Sequence, residues 1–258
     1  MKIAPLPENE FERLARLRSY AILDSEAEAT FDELTTLAGQ ICETPIALIS
    51  LIDENRQWFK SAVGLSATET PRDVAFCAHA ILQNDVFTVP DAHADERFHD
   101  NPLVTGGPKV RAYAGAPLIN AQGMPLGTLC VIDHKEREFT PAQKATLQLI
   151  ASQVITRMEI RRLRQDIQPQ YAHAAGILAS ISHELRTPLN GILGASEMLL
   201  DTDLTDEQRR WAELSKKSAV ALLGAVEQVL ELGREVVTSG LAPGGHVGRR
   251  GEGSGESA

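Results

Sequence analysis

Residues 46–65 read IALISLIDENRQWFKSAVGL. The first part, residues 46–52, is aliphatic except for one serine, which is typical of a strand that is buried on both faces. Asp, Glu and Asn at residues 53–55 supply turn chemistry, and residues 58–63 then resume a strand pattern. The stretch therefore predicts two neighbouring strands of one sheet.

Further strand patterns follow this pair along the chain. They occupy residues 86–89, 111–118 and 126–132, and Asn-Ala-Gln-Gly at residues 120–123 is predicted to join the last two as a hairpin. A short helix is predicted around residues 77–83.

Longer helices are predicted before and after the strands. Ser25 and Glu28 have the spacing of a capping box, and residues 31–41 place apolar side chains at helical steps. After the strands, Pro141 is a favoured first-turn residue and starts another helix. This order predicts an α+β domain in which helices flank an antiparallel sheet on one face.

The second half of the chain is predicted to be helical. The helix from Pro141 continues to about residue 192, and Pro169 is expected to end or kink it because proline lacks the amide hydrogen. Beyond that proline the apolar residues are spaced by threes and fours, as in a coiled-coil seam. This seam comprises Tyr171, Ala174, Leu178, Ile181 and Leu185.

A second helix is announced by Thr205 and Gln208, another capping box, after a break at residues 201–203. Its seam reads Trp211, Leu214, Ser218, Leu222, Ala225, Val229, Leu232 and Val236. Two amphipathic helices joined by a short polar loop predict a helical hairpin. Because one hairpin buries little apolar surface, we expect two copies to form a dimeric four-helix bundle.

His183 lies in the stretch SISHELRTPLNGI at residues 180–192. With Leu178 and Leu185 at heptad position a, His183 falls at position f, the position farthest from the seam. An imidazole there is expected to be exposed, and its neutral nitrogen can attack a phosphoryl group. Glu184 follows about 100° around the helix, where a carboxylate can hold the other ring proton.

The first half of the chain resembles a GAF domain. The resemblance rests on residues 17–65, on FCAHAIL at 76–82, on YAGAPL at 113–118 and on LGTLCVID at 126–133, and it covers about residues 12–160. It implies a signalling module that either binds a small molecule or is purely structural. It does not fix the ligand.

Four residues are candidates for a ligand pocket in this domain: Trp58, Cys77, His79 and Tyr113. Aromatic walls with few polar groups suit small molecules, although ordinary sheet and loop roles are an equal alternative. Bilin-carrying GAF domains often have histidine directly after cysteine, whereas Ala78 intervenes here. We therefore expect neither a bilin nor a metal.

The stretch around His183 resembles the phosphoacceptor box of histidine kinases, over about residues 170–236. The resemblance implies that His183 accepts phosphate and that Glu184 is its acid–base partner. Thr187 would position a water that dephosphorylates a response regulator. It also implies that the chain forms a homodimer and that it binds the receiver domain of that regulator.

No asparagine and glycine-rich boxes of an ATP-binding domain follow the hairpin, so we expect a histidine kinase class protein that is inactive alone. ATP and Mg would act only through a missing catalytic domain, or through a kinase domain in trans. The predicted divisions are a GAF sensor domain at 1–160, an overlapping linker helix at 141–170, a phosphotransfer hairpin at 171–238 and a disordered tail at 239–258. The alternatives are a non-catalytic interaction module and a regulator phosphatase or phosphotransfer protein.

Composition narrows the remaining function classes. The net charge is −10, which disfavours nucleic acid as the main partner. No apolar run is long enough for a membrane span, and the first residues lack a signal core. The three cysteines are expected to be reduced core residues, which predicts a cytoplasmic chain.

Overall fold

The computed structural model describes residues 1–241; for residues 171, 172, 175 and 233–241 it describes the backbone alone. The described chain divides after Leu163 into two compact units. The first unit contains a sheet with its helices, and the second contains two long helical segments. The glycine-rich tail predicted for 239–258 lies outside the described residues, except that the last helix continues to Leu241.

The sheet of the first unit has six strands, and every pair of neighbours is antiparallel. The strands are β1 Ile46–Ile52, β2 Arg56–Val63, β3 Glu69–Pro71, β4 Phe87–Val89, β5 Ala112–Ile119 and β6 Pro125–Asp133, in the spatial order β3-β2-β1-β6-β5-β4. The predicted antiparallel sheet is confirmed. The short edge strand β3 was not predicted, because three residues carry too little periodicity.

The helices are α1 Glu10–Ser19, α2 Ala29–Cys42, α3 Phe76–Ala80, α4 Pro102–Thr105, α5 Pro141–Leu200 and α6 Asp206–Leu241. The sequence patterns missed α1 and α4. They also predicted that Pro169 would interrupt the helix from Pro141 at a break or kink, whereas α5 is helical through Pro169 and Pro188. The predicted end of the helix at Pro169 is wrong, because one lost hydrogen bond is a local cost and the flanking turns remain helical.

Two apolar cores lie on opposite faces of the sheet. On one face α1, α2 and α5 pack on the strands, with Leu17, Phe31 and Val154 all buried. On the other face the core includes Phe76 of α3 and Val104 of α4. The expectation of helices on one face therefore holds for the long helices only, since α3 and α4 cover the second face.

The N-terminus of α2 differs from the predicted capping box. The N-cap is Glu28, and its side chain does not cap the helix. Instead, the buried Lys60 of β2 donates to Ser25 Oγ at 2.8 Å and to Glu28 Oε1 at 2.8 Å. A buried ammonium must be paired, so this lysine binds both residues of the predicted box.

The N-terminus of α6 confirms its capping box. The amide of Gln208 donates to Thr205 Oγ1 at 3.3 Å, and the amide of Thr205 donates to Gln208 Oε1 at 3.0 Å. The predicted break between the helices is also present, because α5 ends at Leu200 and α6 begins at Asp206.

Candidate functional site

The second unit positions His183 through a row of buried small and apolar residues. Ser182, Leu189 and Ser196 of α5 are buried at seven-residue spacing and face α6, where Ala212 and Ala219 are buried. Small side chains allow two helices to approach closely. This row fixes which side of α5 faces its neighbour.

His183 directly follows the buried Ser182, so it points about 100° away from the row. Its side chain is exposed. Thr187, one helical turn later, is also exposed, and its hydroxyl donates to the carbonyl oxygen of His183 at 3.3 Å. The two side chains thus lie on neighbouring parts of one open surface.

Glu184 is exposed as well, and one of its carboxylate oxygens accepts from the Ser180 hydroxyl at 3.5 Å. That contact is long for a hydrogen bond to a carboxylate, so it holds the side chain weakly. The carboxylate is therefore free to turn from Ser180 toward the neighbouring imidazole by a change of rotamer.

A second, apolar row on α5 is exposed in the single chain. Ile181, Leu185 and Ile192 retain between 41% and 47% of their surface in solvent. The predicted seam is divided by the structure: Leu178 is partly buried, whereas Ile181 and Leu185 face outward. The predicted seam residue Tyr171 lies among those whose side chains are not described.

Helix α6 carries a matching exposed row, which we call the α6 row. It consists of Trp211, Leu214, Leu222, Val229 and Leu232, each about half exposed or more. These are five of the predicted seam positions, and the steps between them are threes, fours or sums of the two. Such a continuous apolar face is typical of a surface that another helix covers.

The first unit contains a cavity of about 320 Å³ between the sheet and the segments around α3 and α4. Apolar side chains such as Leu48, Phe59 and Ile132 line most of it. Among the described residues, none that lines the cavity carries a charge. Cys77 and Tyr113 of the predicted pocket also line it.

The other two predicted pocket residues do not line this cavity. Trp58 packs in the core on the opposite face of the sheet, because it alternates with Gln57 and Phe59 along β2. His79 lies beside the cavity, where its Nε2 is 3.1 Å from the carbonyl oxygen of Lys2. Burial lowers the pKa of His79, which favours the neutral ring.

Gln57 lines the cavity but was missed by the sequence analysis. Its side chain is 4% exposed, and its Oε1 is a buried acceptor without a hydrogen-bond partner in the described structure. Thr70, on the short strand β3, contributes a second unpartnered oxygen, Oγ1. Side chains alternate along β2, so Gln57 and Trp58 lie on opposite faces of the sheet. Only the folded sheet shows which of the two faces contains the cavity.

Within residues 1–241, no group of three or more His, Cys, Asp or Glu side chains is arranged to hold a metal ion. In the same part of the chain, no helix is both long and apolar enough to cross a membrane.

Comparison with protein families shows which family the first unit resembles. The model of the GAF domain matches residues 26–158, just over half of the chain. The chain belongs to the GAF family. The GAF match is followed by a match to the His Kinase A (phospho-acceptor) domain over residues 175–235, which includes His183. Domains of that second family typically dimerise and relay phosphate to response regulators.

Two relatives of this GAF protein are of different kinds. A cyclic di-GMP phosphodiesterase of Pseudomonas aeruginosa is 44% identical over 163 residues, which are 63% of this chain and 28% of that protein. The signal transduction histidine-protein kinase BarA of Escherichia coli is 34% identical over 121 residues, which are 45% of this chain and 12% of that protein. The chain thus spans well under a third of either relative.

Solved structures similar to the GAF unit include the GAF domain of an Acinetobacter phosphoenolpyruvate-protein phosphotransferase. That domain shares 17% sequence identity with this chain, with a TM-score of 0.45. The comparison covers 60% of this chain and 95% of the solved one.

Proposed function

We propose that this chain is the sensor and phosphoacceptor part of a two-component histidine kinase. His183 accepts a phosphoryl group and passes it to an aspartate of a response regulator. The observation that supports this most directly is the exposed imidazole of His183 within the matched phosphoacceptor domain. The buried neighbour Ser182 keeps that imidazole turned away from α6.

In the proposed transfer, a neutral ring nitrogen of His183 attacks the γ-phosphorus of ATP held by a catalytic domain. The N–P bond forms as the bond from phosphorus to the bridging oxygen of ADP breaks, and Glu184 takes up the proton on the other ring nitrogen as positive charge develops. ATP and Mg are bound by that catalytic domain, either elsewhere in a longer protein or in trans.

Thr187 would act in the reverse direction of signalling. Its hydroxyl lies one turn from His183, so a receiver domain docked over the imidazole would bring its phosphoaspartate near this hydroxyl as well. There the hydroxyl would orient a water for attack on phosphorus. The role requires that Thr187 exchange its present bond to a backbone carbonyl for one to water.

A second copy of the chain is the proposed partner of the apolar rows. The exposed row of α5 and the α6 row would meet their counterparts in a four-helix bundle. His183 points away from Ile181 and from Ser182, so it would remain open in such a dimer. A cytoplasmic location belongs to the same proposal and is supported by the three free cysteines.

The transfer is tested by incubating the purified chain with a histidine kinase catalytic domain and γ-labelled ATP. We expect acid-labile label on the parent chain and none on His183→Gln. His173→Gln is the matched control, because His173 is an exposed histidine of the same helix. Equal label on the parent and His183→Gln would overturn the proposal.

Two further variants separate the proposed roles. Glu184→Gln should slow labelling by roughly 100-fold, the usual size of a general-base contribution, without changing the dimer. Thr187→Ala should be labelled normally but should lose any dephosphorylation of an added phosphorylated receiver. If neither variant differs from the parent in either assay, these two role assignments are wrong even if His183 is the acceptor.

A further inference from the structure

Two cysteines far apart in the sequence meet beneath the cavity of the GAF unit. Cys77 lies in α3 and Cys130 in β6, and both are fully or almost fully buried. Their Sγ atoms are 3.7 Å apart, and both are free thiols. They therefore form a contacting dithiol, which sulfur spacing in the sequence did not predict.

The surroundings of Cys77 stabilise a thiolate. The hydroxyl of Tyr113 donates to Cys77 Sγ at 3.2 Å. The hydroxyls of Ser50 and Thr128 are buried nearby and have no partner in ordinary hydrogen-bond geometry within the described structure. A hydroxyl that donates to the sulfur, as that of Tyr113 does, favours its charged form.

These contacts divide the two sulfurs into unequal roles. Burial raises the pKa of Cys77, but its contacts with Cys130 and with the nearby hydroxyls outweigh burial and lower the pKa below its ordinary value. The pKa of Cys130 is raised well above its ordinary value, mainly by its hydrogen bond to Cys77 and by burial. Cys77 accepts the Tyr113 hydrogen bond and lines the cavity, so we assign it as the nucleophile of the pair and Cys130 as the resolving thiol.

Access to the dithiol is through the cavity. Cys77 lines the cavity of about 320 Å³, whereas Cys130 does not. Apart from Cys77, the side chains of the wall are mostly apolar and none is of a charged type, which favours a small neutral molecule over a charged or bulky disulfide compound. The chemistry that fits a neutral oxidant of this size is a hydroperoxide, ROOH, with R either hydrogen or a small alkyl group.

Cys42 shows how different an ordinary buried thiol of this domain is. It ends α2 on the opposite face of the sheet and belongs to the other core. Burial raises its pKa to about 11, although Arg137 opposes the shift. Cys42 is therefore an internal control for thiol reactivity.

We propose that Cys77 and Cys130 form a peroxide-reactive dithiol that closes to a disulfide. The Cys77 thiolate attacks the terminal oxygen of the hydroperoxide, the O–O bond breaks, and ROH leaves after taking up a proton. The Cys130 sulfur then attacks the sulfenic sulfur of Cys77, the S–S bond forms, and the hydroxyl leaves as water with the Cys130 proton. In sum, two thiols and ROOH give one disulfide, ROH and water.

Closing the disulfide requires a modest movement. The sulfurs must approach from 3.7 Å to about 2.05 Å, and we assign this movement to side-chain rotation at Cys77 and a shift of the five-residue helix α3. Cys130 is held in the centre of the sheet, between β1 and β5. The movement therefore falls on α3, which also forms part of the cavity wall.

This site is independent of phosphotransfer at His183. It concerns residues of the GAF unit alone, and its test needs neither ATP nor a receiver domain. The inference can fail while the proposed function holds, and the reverse is equally true.

The experiment treats the full chain with a stoichiometric excess of hydrogen peroxide and then alkylates the remaining thiols under denaturing conditions. We expect the intact mass to fall by two hydrogen atoms before alkylation, and one alkylated thiol to remain. Peptide mapping should join the peptides that contain Cys77 and Cys130 and find Cys42 alkylated. Loss of all three thiols at one common rate, or no disulfide at all, would overturn the proposal.

Several variants test which cysteine reacts first, so that the assignment does not depend on any single variant. Cys130→Ser should accumulate a sulfenic acid on Cys77 that dimedone traps, whereas Cys77→Ser should react at least roughly tenfold more slowly. Cys42→Ser should form the disulfide at the parent rate. Tyr113→Phe, which keeps the ring but removes the donor, should slow oxidation of Cys77 and leave Cys42 unchanged. Dimedone adducts on Cys42 in place of Cys77 would refute the assignment.

Discussion

Leu222→Ala tests whether a second copy covers the α6 row. In the single chain Leu222 leaves 51% of its surface exposed, so a partner helix has about half of the side chain left to bury. Fully burying a leucine is worth about 2 kcal/mol, hence we expect about 1 kcal/mol from each copy. Because a two-fold dimer contains the residue twice, the substitution should cost about 2 kcal/mol, which raises Kd roughly 30-fold.

Val220 supplies the matched control. Its exposure, 52%, equals that of Leu222, but two residues along the helix turn it about 200° away from the α6 row. Val220→Ala should therefore change Kd by less than about twofold, as surface substitutions usually do. Sedimentation equilibrium over a dilution series at fixed salt gives Kd, and circular dichroism verifies that both variants remain helical.

Two results would refute this reasoning. If both substitutions weakened the dimer equally, association would depend on apolar surface anywhere on α6 and not on the row. If Leu222→Ala left Kd unchanged, the partner would lie on another face.

Three further substitutions test contacts that lie within one or the other of the two units. Glu28→Gln leaves the buried Lys60 without its carboxylate, so urea unfolding at pH 7 should show a loss of about 2 kcal/mol. Burial raises the pKa of Glu28, but its ion pairs outweigh burial and lower the pKa below its ordinary value of 4.5. The contribution of Glu28 to folding stability is therefore fully present above pH 4.5 and should vanish as the pH falls through the lowered pKa. Gly127→Ala would drive a Cβ into the carbonyl oxygen of Ser50, so we expect a loss of at least about 3 kcal/mol and a clear fall in Tm. Thr205→Ala removes the N-cap of α6 and should cost about 1 kcal/mol in thermal unfolding of the second unit.

Each of these has a control in the chain. Glu26→Gln removes an exposed carboxylate whose residue contacts Lys60 only through its backbone oxygen, so stability should not change. Gly191→Ala adds a methyl group where nothing lies within 4 Å, and should not repeat the effect of Gly127→Ala. Thr205→Ser keeps the capping hydroxyl. A control that matches its test variant in stability would contradict the contact assigned to that variant.

The strands could be predicted because the sheet is covered on both faces. A strand such as β1 is then aliphatic except for one serine, and turn residues mark its C-terminal end. The capping box of Thr205 was equally predictable, since its two partners are three residues apart and no distant residue competes for them. Local signals suffice where the partners are local.

The failed prediction of the first capping box involves a distant partner. The box of Ser25 and Glu28 has the same spacing as that of Thr205 and Gln208, but Lys60 of β2 binds both Ser25 and Glu28. A cation that is buried in this way has a larger desolvation cost than a helix amide has, and so it takes the oxygens. No pattern within residues 25–28 carries that information.

The cavity shows the same limit. Alternation along β2 separates Trp58 from Gln57, yet the sequence does not say which face receives the long helices. The contact of Cys77 with Cys130 spans 53 residues and depends on α3 crossing the sheet at β6. Such sites depend on the spatial order of the strands in the sheet, which the pattern of residues along one sequence does not determine.

The orientation of His183 depends on two rows of residues on α5, one buried and one exposed, whose positions along the helix are shifted by one residue. Ser182 belongs to the row that α6 buries, Ile181 belongs to the exposed apolar row, and His183 takes the next position on the far side. A rotation of α5 large enough to hide the imidazole would expose the first row and misalign the second. Bending does not have this cost, and Pro188 lacks the amide that would otherwise bind a carbonyl one turn earlier, beside His183. A signal that regulates access to His183 is therefore expected to bend α5 near Pro188 and not to rotate it.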